Sequence, residues 1–208
     1  MIQVYTGDGK GKTTAAFGLA MRAAGHGYRV RIIQFLKGST YSGELVAAEK
    51  LGIEVFQFGR TCPHAAVIKS GFMKCQKCGQ CLVGFNDIND WDRQKVGMAW
   101  KLAQDTVIAG KHDILVLDEI MEALNIKLIA LTDLLAWLRL VPKKMEIILT
   151  GRNAPPNLLK QPISFRSEED KAYLRYRCCS PKGNRILKAA GRSRPLALRL
   201  FFCISLRA

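Results

Sequence analysis

Short apolar segments alternate with longer amphipathic ones along the first 150 residues, and this alternation predicts strands and helices in turn. The predicted strands are apolar at almost every position and cover residues 2–5, 29–37, 53–58, 113–119 and 145–151. The predicted helices cover residues 13–25, 44–51, 90–110 and 131–141. Because strands that are apolar throughout belong to sheets covered on both faces, the pattern predicts an α/β fold. We expect a mostly parallel sheet with helices on both faces.

Composition indicates a single globular domain, and charge changes this picture only near the end of the chain. With 208 residues, 49% of them hydrophobic, the chain can form one sizeable core. Its net charge of +15 favours an anionic partner, but residues 157–208 carry 12 Lys and Arg against 3 Asp and Glu, a net +9. Residues 1–156 carry 20 against 14, a net +6, so we expect no specific nucleic-acid partner. Without a membrane-length apolar run or a signal-peptide pattern, we expect a cytoplasmic protein with no membrane contact.

The clearest motif is TGDGKGKTT, residues 6–14, which joins the first strand to the first helix. Its end, Gly11, Lys12 and Thr13, matches a Walker A phosphate loop, but Thr6 stands where that pattern has its first glycine. Glycines let backbone N–H groups face an anion, and the helix adds the positive end of its dipole. A glycine-rich turn with incidental lysines is the alternative. We expect a nucleotide site made of Gly7, Asp8, Gly9, Lys10, Gly11, Lys12, Thr13 and Thr14.

Two carboxylates, Asp118 and Glu119, follow the apolar strand ILVL. In a parallel sheet, the carboxyl end of this strand lies at the same edge as the phosphate loop, where acidic side chains can hold Mg²⁺. The hydroxyl of Thr13 is the magnesium ligand that the loop itself supplies in this arrangement. The sequence therefore predicts a magnesium site made of Thr13, Asp118 and Glu119. A solvated strand end is the alternative.

Four segments together resemble one enzyme family: TGDGKGKTTAAFGLAMRAAGHG, RVRIIQFLKG with GEL soon after, DILVLDEI and IILTGRNAPP. Over residues 2–59 and 90–156 they resemble the P-loop type of corrinoid adenosyltransferase, which also lacks the first Walker glycine. The resemblance implies a P-loop NTPase-like fold. It also implies transfer of the 5′-deoxyadenosyl group of ATP to Co(I) of cob(I)alamin or cob(I)yrinic acid a,c-diamide, with release of triphosphate. Lys10, Lys12 and Arg22, with Mg²⁺, would supply countercharge to that triphosphate.

The same resemblance implies partners. Family members usually form homodimers, the substrates are ATP and a corrinoid, and a flavoprotein is the expected reductant. Because the corrinoid supplies the nucleophile, no side-chain base is expected. Two hypotheses from other classes stay open: a P-loop ATPase coupled to an iron–sulfur or zinc module, and a basic nucleic-acid-binding module.

The chain departs from the family at about residues 60–83, where a cysteine-rich segment replaces the usual aromatic loop facing the corrinoid. Cys75, Cys78 and Cys81 form C-x₂-C-x₂-C, and Cys62 precedes them by thirteen residues. Four thiols in a cytosolic protein indicate a metal, either a [4Fe–4S] cluster or Zn²⁺, with free thiols as the alternative. A cluster near the corrinoid would assist reduction of Co(II) to Co(I). Three phenylalanines are the candidate corrinoid contacts: Phe58, Phe72 and Phe85.

The resemblance ends after IILTGRNAPP, and residues 157–208 form an aberrant, basic tail. Residues 157–165 can be encoded by synonymous codons that read ELIKAADLV in a neighbouring frame. Residues 169–187 can be encoded so that a neighbouring frame reads KIKHIFDTGVAARKGIEY and then a stop. Both resemble the family ending, and two single-base losses, near codons 156 and 166, would connect them. The sequence therefore predicts a P-loop domain over residues 1–156 and a frameshifted, poorly packed tail over residues 157–208. A divergent tail is the alternative. In a frameshifted tail, three cysteines carry no chemistry: Cys178, Cys179 and Cys203.

Overall fold

The computed structural model describes residues 1–38, 42–76, 78–81, 83 and 87–160, and beyond them the backbone of two strands. The strands are β1 Ile2–Thr6, β2 Val30–Phe35, β3 Glu54–Phe58, β4 Ile114–Asp118, β5 Glu146–Thr150, β6 Ser164–Ser167 and β7 Tyr173–Arg175. The helices are α1 Lys12–Gly25, α2 Gly43–Lys50, α3 Ala65–Lys69, α4 Asp90–Ala109, α5 Ile120–Asn125, α6 Leu131–Leu140 and α7 Pro156–Leu159. Every strand and helix that the hydrophobic pattern predicts is present, with ends that differ by at most two residues.

The strands form one sheet in the order β3-β2-β4-β5-β1-β6-β7. Neighbouring strands run parallel from β3 to β6, and β7 pairs antiparallel with β6 at the edge. β5 lies between β1 and β4, with Tyr5 of β1 opposite Thr150 of β5. The strand that leads into the phosphate loop is therefore close to the strand that ends at Asp118. This topology confirms the predicted α/β, P-loop NTPase-like fold.

Both faces of the sheet are buried, each under its own layer of helices. Successive residues of a strand point to opposite faces. In β2, Ile33 packs in a cluster with residues of α4, α5 and α6, whereas Ile32 packs in a second cluster with residues of α1 and α2. The same alternation separates Leu117 from Val116 in β4. Because both kinds of position are buried, the strands are hydrophobic without a polar face.

The longest helix described, α4, has 20 residues and begins with a capping box. The Asp92 N–H donates to the Asn89 side chain at 2.9 Å, and the Asn89 N–H donates to the Asp92 carboxylate at 3.1 Å. These bonds satisfy donors that the first turn of a helix leaves open. Within the described ranges, no helix is both long and apolar enough to cross a membrane.

The hydrophobic pattern predicts neither the short helices α3, α5 and α7 nor the strands β6 and β7. These helices have four to six residues, too few to show a helical period. α7 crosses the predicted domain boundary at residue 156, and its Leu158 is completely buried in the core. β6 extends the sheet into the predicted tail by pairing with β1. The packing of the rest of that tail, with its three cysteines, lies outside the described residues.

Candidate active site

The phosphate loop turns between β1 and α1 at the carboxyl edge of the sheet. Gly7 and Gly11 have positive φ values, 130° and 112°, which side chains disfavour. The ammonium of Lys12 is buried and donates hydrogen bonds to the carbonyl oxygens of Gly7 at 2.7 Å and Gly9 at 2.6 Å. A positive charge thus lies inside the loop at the amino end of α1, where phosphate oxygens would also meet the first N–H groups of the helix.

Thr6, which replaces the first Walker glycine, has a structural role in this loop. Its side chain is buried, and its hydroxyl accepts a hydrogen bond from the Ala154 N–H at 3.3 Å. Ala154 follows β5, so this bond ties the start of the loop to the adjacent strand connection. The threonine therefore helps to fix the start of the loop.

Asp118 ends β4 with a completely buried carboxylate. Its Oδ1 accepts hydrogen bonds from the hydroxyls of Thr13 at 3.0 Å and Thr150 at 2.6 Å. Its Oδ2 accepts hydrogen bonds from Gln34 at 2.8 Å and Lys37 at 2.7 Å. Because a buried charged group must be hydrogen-bonded, these four donors stabilise Asp118 in one orientation. The predicted contact between the phosphate loop and the strand-end carboxylate is therefore present.

Lys37 lies among the predicted magnesium ligands, although no sequence motif indicates it. Its Nζ lies 2.8 Å from Thr13 Oγ1, 2.7 Å from Asp118 Oδ2 and 3.3 Å from Glu119 Oε1. Burial alone would lower the pKa of Lys37, but the carboxylates of Asp118 and Glu119 outweigh burial and raise it. The sequence gives only a weak signal for this residue: Lys37 lies in RVRIIQFLKG, one of the four segments that resemble the family, and that segment assigns it no role.

The backbone near these carboxylates adopts uncommon conformations. Glu119 and Leu36, at the ends of neighbouring strands, have positive φ values of 61° and 58°, which residues other than glycine adopt uncommonly. The Glu119 N–H donates to the Thr150 hydroxyl at 3.0 Å. The Glu119 side chain keeps 25% of its surface exposed, so this carboxylate is open to a ligand. In α5, burial raises the pKa of Glu122, and the charge of Glu119 raises it further.

Oxygen ligands meet where the magnesium site is predicted. In the part of the chain that the structure describes, no three His, Cys, Asp or Glu side chains lie close enough to enclose a metal ion. Magnesium, however, commonly takes one or two carboxylates and completes its shell with water and phosphate oxygens. Thr13, Asp118 and Glu119 fit that requirement, because a cation, the ammonium of Lys37, already contacts an oxygen of each.

The other predicted site residues are on the surface. Asp8, Lys10 and Thr14 are exposed at the rim of the loop. Arg22 is exposed in the last turn of α1. At the rise of an α-helix, it lies roughly 15 Å along the axis from Lys12. The proposed roles of Lys10 and Arg22 at the triphosphate stay predictions.

Arg60 closes the neck of the cysteine-rich segment, that is, the place where the two ends of the segment meet. Its guanidinium donates to the carboxylate and the backbone carbonyl of Asp87, just beyond the end of that segment. It also donates to the buried carboxylate of Asp92 in α4, at 3.2 Å from Nε and 2.7 Å from Nη2. The Lys95 ammonium donates to the Gly59 carbonyl at 2.5 Å. The segment therefore leaves the domain and returns to it at one point.

The four cysteines lie beyond this neck and are free thiols. Cys62 is buried, Cys81 is partly buried, and Cys75 and Cys78 are exposed. Burial raises the pKa of the Cys81 thiol, and the charges of Cys62, Cys78 and Cys75 raise it further. Within the described ranges, however, these thiols are not gathered closely enough to hold a metal ion. The predicted zinc or iron–sulfur site stays a prediction.

The three candidate corrinoid contacts differ in their surroundings. Phe58 is partly buried at the end of β3, and its carbonyl accepts a hydrogen bond from the Leu36 N–H at 2.9 Å. Phe72 is 89% exposed. Phe85 lies outside the described residues. The described residues define no common surface for these three side chains, so their contact with the corrinoid stays a prediction.

The chain is similar to several known proteins. It is 31% identical over 167 residues to the corrinoid adenosyltransferase of Escherichia coli K12, which covers 77% of this chain and 71% of that protein. It is 31% identical over 159 residues to the corrinoid adenosyltransferase CobA of Salmonella typhimurium, covering 76% of this chain and 71% of CobA. It is also 32% identical over 166 residues to the uncharacterized protein all2391 of Nostoc, which covers 76% of this chain but only 40% of that longer protein.

A family model supports the same assignment. The model described as ATP:corrinoid adenosyltransferase BtuR/CobO/CobP matches residues 1–162. The match begins before the phosphate loop and continues past α7, so it includes Lys12, Thr13, Asp118 and Glu119. It also includes the cysteine-rich segment. The chain therefore belongs to the ATP:corrinoid adenosyltransferase family BtuR/CobO/CobP.

Proposed function

We propose that this protein transfers the 5′-deoxyadenosyl group of ATP to the Co(I) atom of a corrinoid, either cob(I)alamin or cob(I)yrinic acid a,c-diamide. One observation carries the proposal: within the family match, the Lys12 ammonium lies inside the phosphate loop, bonded to the carbonyls of Gly7 and Gly9. A fixed positive charge and the amino end of α1 therefore lie together, as binding of a phosphate chain requires. The family description supports the corrinoid as the acceptor.

In this reaction a Co–C bond forms and the C5′–O bond of ATP breaks. The electron pair of Co(I) attacks C5′, so cobalt is formally oxidised from +1 to +3. The pair of the C5′–O bond leaves with the triphosphate. The nucleophile belongs to the substrate, so the protein acts mainly by stabilising negative charge on the leaving chain. Lys12, Lys10 and the first N–H groups of α1 are suited to that task.

Thr13, Asp118 and Glu119 are the residues that would hold Mg²⁺ beside the phosphates. Hydroxyl and carboxylate oxygens are ligands that magnesium prefers, with phosphate oxygens and water completing its shell. When bound, the ion would neutralise part of the charge on the phosphate chain. Thr150 and Gln34 hold the Asp118 carboxylate in place from the protein side.

The proposal is tested with ATP, Mg²⁺ and chemically reduced cobalamin, by following the visible spectrum of the corrinoid. We expect the Co(I) spectrum to be replaced by that of an alkylated corrinoid, and Lys12→Ala to abolish this change. Lys111→Ala is the matched control, because Lys111 is exposed between α4 and β4, at the opposite edge of the sheet. If neither cobalamin nor cobyrinic acid a,c-diamide is alkylated by the wild type, the proposed function is wrong.

A P-loop ATPase coupled to a metal-cluster module is the alternative that the sequence alone leaves open. It would consume ATP without a corrinoid and release ADP and phosphate. The family description and the names of the relatives favour adenosyl transfer over this candidate. An ATP consumption rate that does not respond to reduced corrinoid would favour the ATPase.

We further propose that the cysteine-rich segment binds one metal centre through four thiolates, those of Cys62, Cys75, Cys78 and Cys81. The helix α3 within this segment buries none of its residues, and Phe72 is almost fully exposed. Ordering such a segment costs conformational entropy that little hydrophobic burial offsets. A metal cross-link is one of the means by which small segments without a core become ordered. Arg60 already closes the neck, so the metal would fix the remainder.

The spacing favours an iron–sulfur cluster over zinc. The three cysteines at two-residue gaps match the C-x₂-C-x₂-C run of [4Fe–4S] proteins, and Cys62, followed by Pro63, would be the remote fourth ligand, here before the run. Structural zinc sites more often take two separated pairs. Anaerobic purification, metal analysis and visible absorbance test the site. Iron with sulfide, lost in Cys75→Ser, supports a cluster, and one zinc per chain, likewise lost, supports a zinc site. A metal-free protein with the same thermal stability as Cys75→Ser would contradict the proposal.

A homodimer and a flavoprotein reductant are proposed from the family resemblance. Light scattering should give a mass twice the 23.2 kDa of one chain. A reduced flavoprotein should replace the chemical reductant in the corrinoid assay. A monomeric mass at working concentration would contradict the dimer. Failure of every reduced flavoprotein supplied would contradict a flavoprotein reductant.

A further inference from the structure

The position predicted for a divalent cation is taken by a side chain of the protein itself. The Nζ of Lys37 is within 3.3 Å of an oxygen of each predicted magnesium ligand, Thr13, Asp118 and Glu119. The Asp118 side chain is completely buried, and the Lys37 side chain is 32% exposed. The two charges therefore interact in a partly desolvated space, where attraction is stronger than in water.

The backbone around Lys37 is held so that the side chain reaches this position. The preceding residue, Leu36, has a positive φ of 58°. A Cβ on Gly38 would overlap the backbone of Arg60, and a Cβ on Gly59 would overlap the backbone of Leu36 and Lys37. The connections that follow β2 and β3 are therefore in direct backbone contact, which restricts movement of the Lys37 backbone.

Binding of a free divalent cation to these oxygens is opposed by this arrangement. The cation must displace the ammonium of Lys37. The ammonium then loses its carboxylate partners and is repelled by the two positive charges of the bound cation. Binding together with a nucleotide removes the conflict. The triphosphate supplies negative oxygens both to the divalent cation and to the displaced ammonium.

We propose that Lys37 is a built-in counter-ion that makes binding of the divalent cation depend on binding of the nucleotide. The inference rests on the proposed function only in that the nucleotide binds at the phosphate loop. Since such coupling is reciprocal, ATP strengthens binding of the cation and the cation strengthens binding of ATP by the same factor. With both bound, Lys37 contacts the triphosphate and adds a third lysine to Lys10 and Lys12.

The test is titration of the full chain with Mn²⁺, followed by electron paramagnetic resonance, without nucleotide. Wild type should bind Mn²⁺ weakly, and Lys37→Met should bind it about tenfold more tightly or better, because no ammonium competes. Lys37→Gln, which keeps a hydrogen-bond donor to Asp118, is the second variant if Lys37→Met does not fold. Lys111→Met is the control, because it removes the same charge at the opposite edge of the sheet.

A second titration in the presence of ATP completes the test. After the Mn²⁺ that free ATP binds in solution is subtracted, ATP should tighten binding of Mn²⁺ to the protein strongly in the wild type and in Lys111→Met, and less in the Lys37 variants. A folded Lys37 variant with the Mn²⁺ affinity of the wild type in the absence of ATP would overturn the inference. Since this measurement needs no corrinoid, the counter-ion inference can fail while alkylation proceeds, and alkylation can fail while the coupling is observed.

Discussion

The hydroxyl of Thr13 donates a hydrogen bond to the carboxylate of Asp118 at 3.0 Å, although 105 residues separate them in the chain. The contact crosses β5, whose Thr150 donates to the same carboxylate oxygen at 2.6 Å. The phosphate loop and the carboxylate at the end of β4 are therefore joined directly within the fold. Substitutions in this network should change stability and ligand binding in ways that can be separated.

Asp118→Asn should lower the free energy of unfolding by roughly 2–4 kcal/mol, because the partly buried Lys37 ammonium loses its compensating carboxylate. Lys37→Met in the same chain should restore part of this loss, so the double variant is less destabilised than the sum of the single ones by ~1–2 kcal/mol. Urea denaturation measures all three. Asp105→Asn, at an exposed position of α4, is the control. Strict additivity would show that the two charges do not stabilise each other.

Gly38→Ala should destabilise the protein by more than ~2 kcal/mol, because the added Cβ overlaps the backbone of Arg60 and neither strand connection can move freely. Gly97→Ala is the matched control: it lies in α4, and nothing is within 4 Å of its added Cβ. That change should stabilise the helix by up to ~1 kcal/mol. Equal melting temperatures for the two variants would contradict the direct backbone contact.

Acid should destabilise the protein partly through Asp92. The Arg60 guanidinium, with the Asn89 N–H, holds the pKa of Asp92 below its ordinary value of 3.8 despite burial. A carboxyl group with a lowered folded pKa contributes stability that is present above the unfolded pKa and lost as pH falls through the folded pKa. Arg60→Gln should therefore lower the melting temperature at neutral pH and flatten its decline below about pH 4.

The control for this pH dependence is Arg93→Gln, which removes an exposed arginine that lies 4.0 Å from Asp90 in the same helix. Exposed pairs of this kind contribute little to stability. Because Asp92 keeps its partner Arg60 in Arg93→Gln, the melting temperature of this variant should follow that of the wild type between about pH 2 and pH 7. If Arg60→Gln retains the full acid dependence, Arg60 does not lower the pKa of Asp92.

Thr6→Gly would restore the Walker A pattern in sequence but should weaken the protein. The change removes the hydroxyl that accepts the Ala154 N–H and adds backbone freedom, for a cost of about 1–2 kcal/mol. We expect no gain in ATP affinity, measured by isothermal titration calorimetry. Thr6→Ser, which keeps the hydroxyl, is the control. Tighter ATP binding by Thr6→Gly would show that the threonine impairs the loop.

The frameshift proposed for residues 157–208 is tested by the coding DNA. The codons for residues 157–165 should let the neighbouring frame read ELIKAADLV, and those for residues 169–187 should encode KIKHIFDTGVAARKGIEY and a stop in another frame. Codons that exclude both readings would favour a divergent tail.

Much of the fold could be predicted because β2, β4 and β5 are buried on both faces and therefore stand out as apolar runs. The loop residues Lys12 and Thr13 and the carboxylate of Asp118 follow from local motifs at strand ends. Lys37 does not follow from a local motif, because its role depends on which strand neighbours β2 and on the direction in which the backbone leaves β2. The bond of Arg60 to Asp92 is likewise a long-range contact that no local pattern indicates.

Transfer of the 5′-deoxyadenosyl group is most directly tested by ³¹P NMR of the products of ATP. The reaction contains reduced cobalamin, Mg²⁺ and the full chain. We expect one inorganic triphosphate for each adenosylcobalamin formed, and no triphosphate when the corrinoid is omitted. Formation of ADP and phosphate, with or without the corrinoid, would contradict adenosyl transfer.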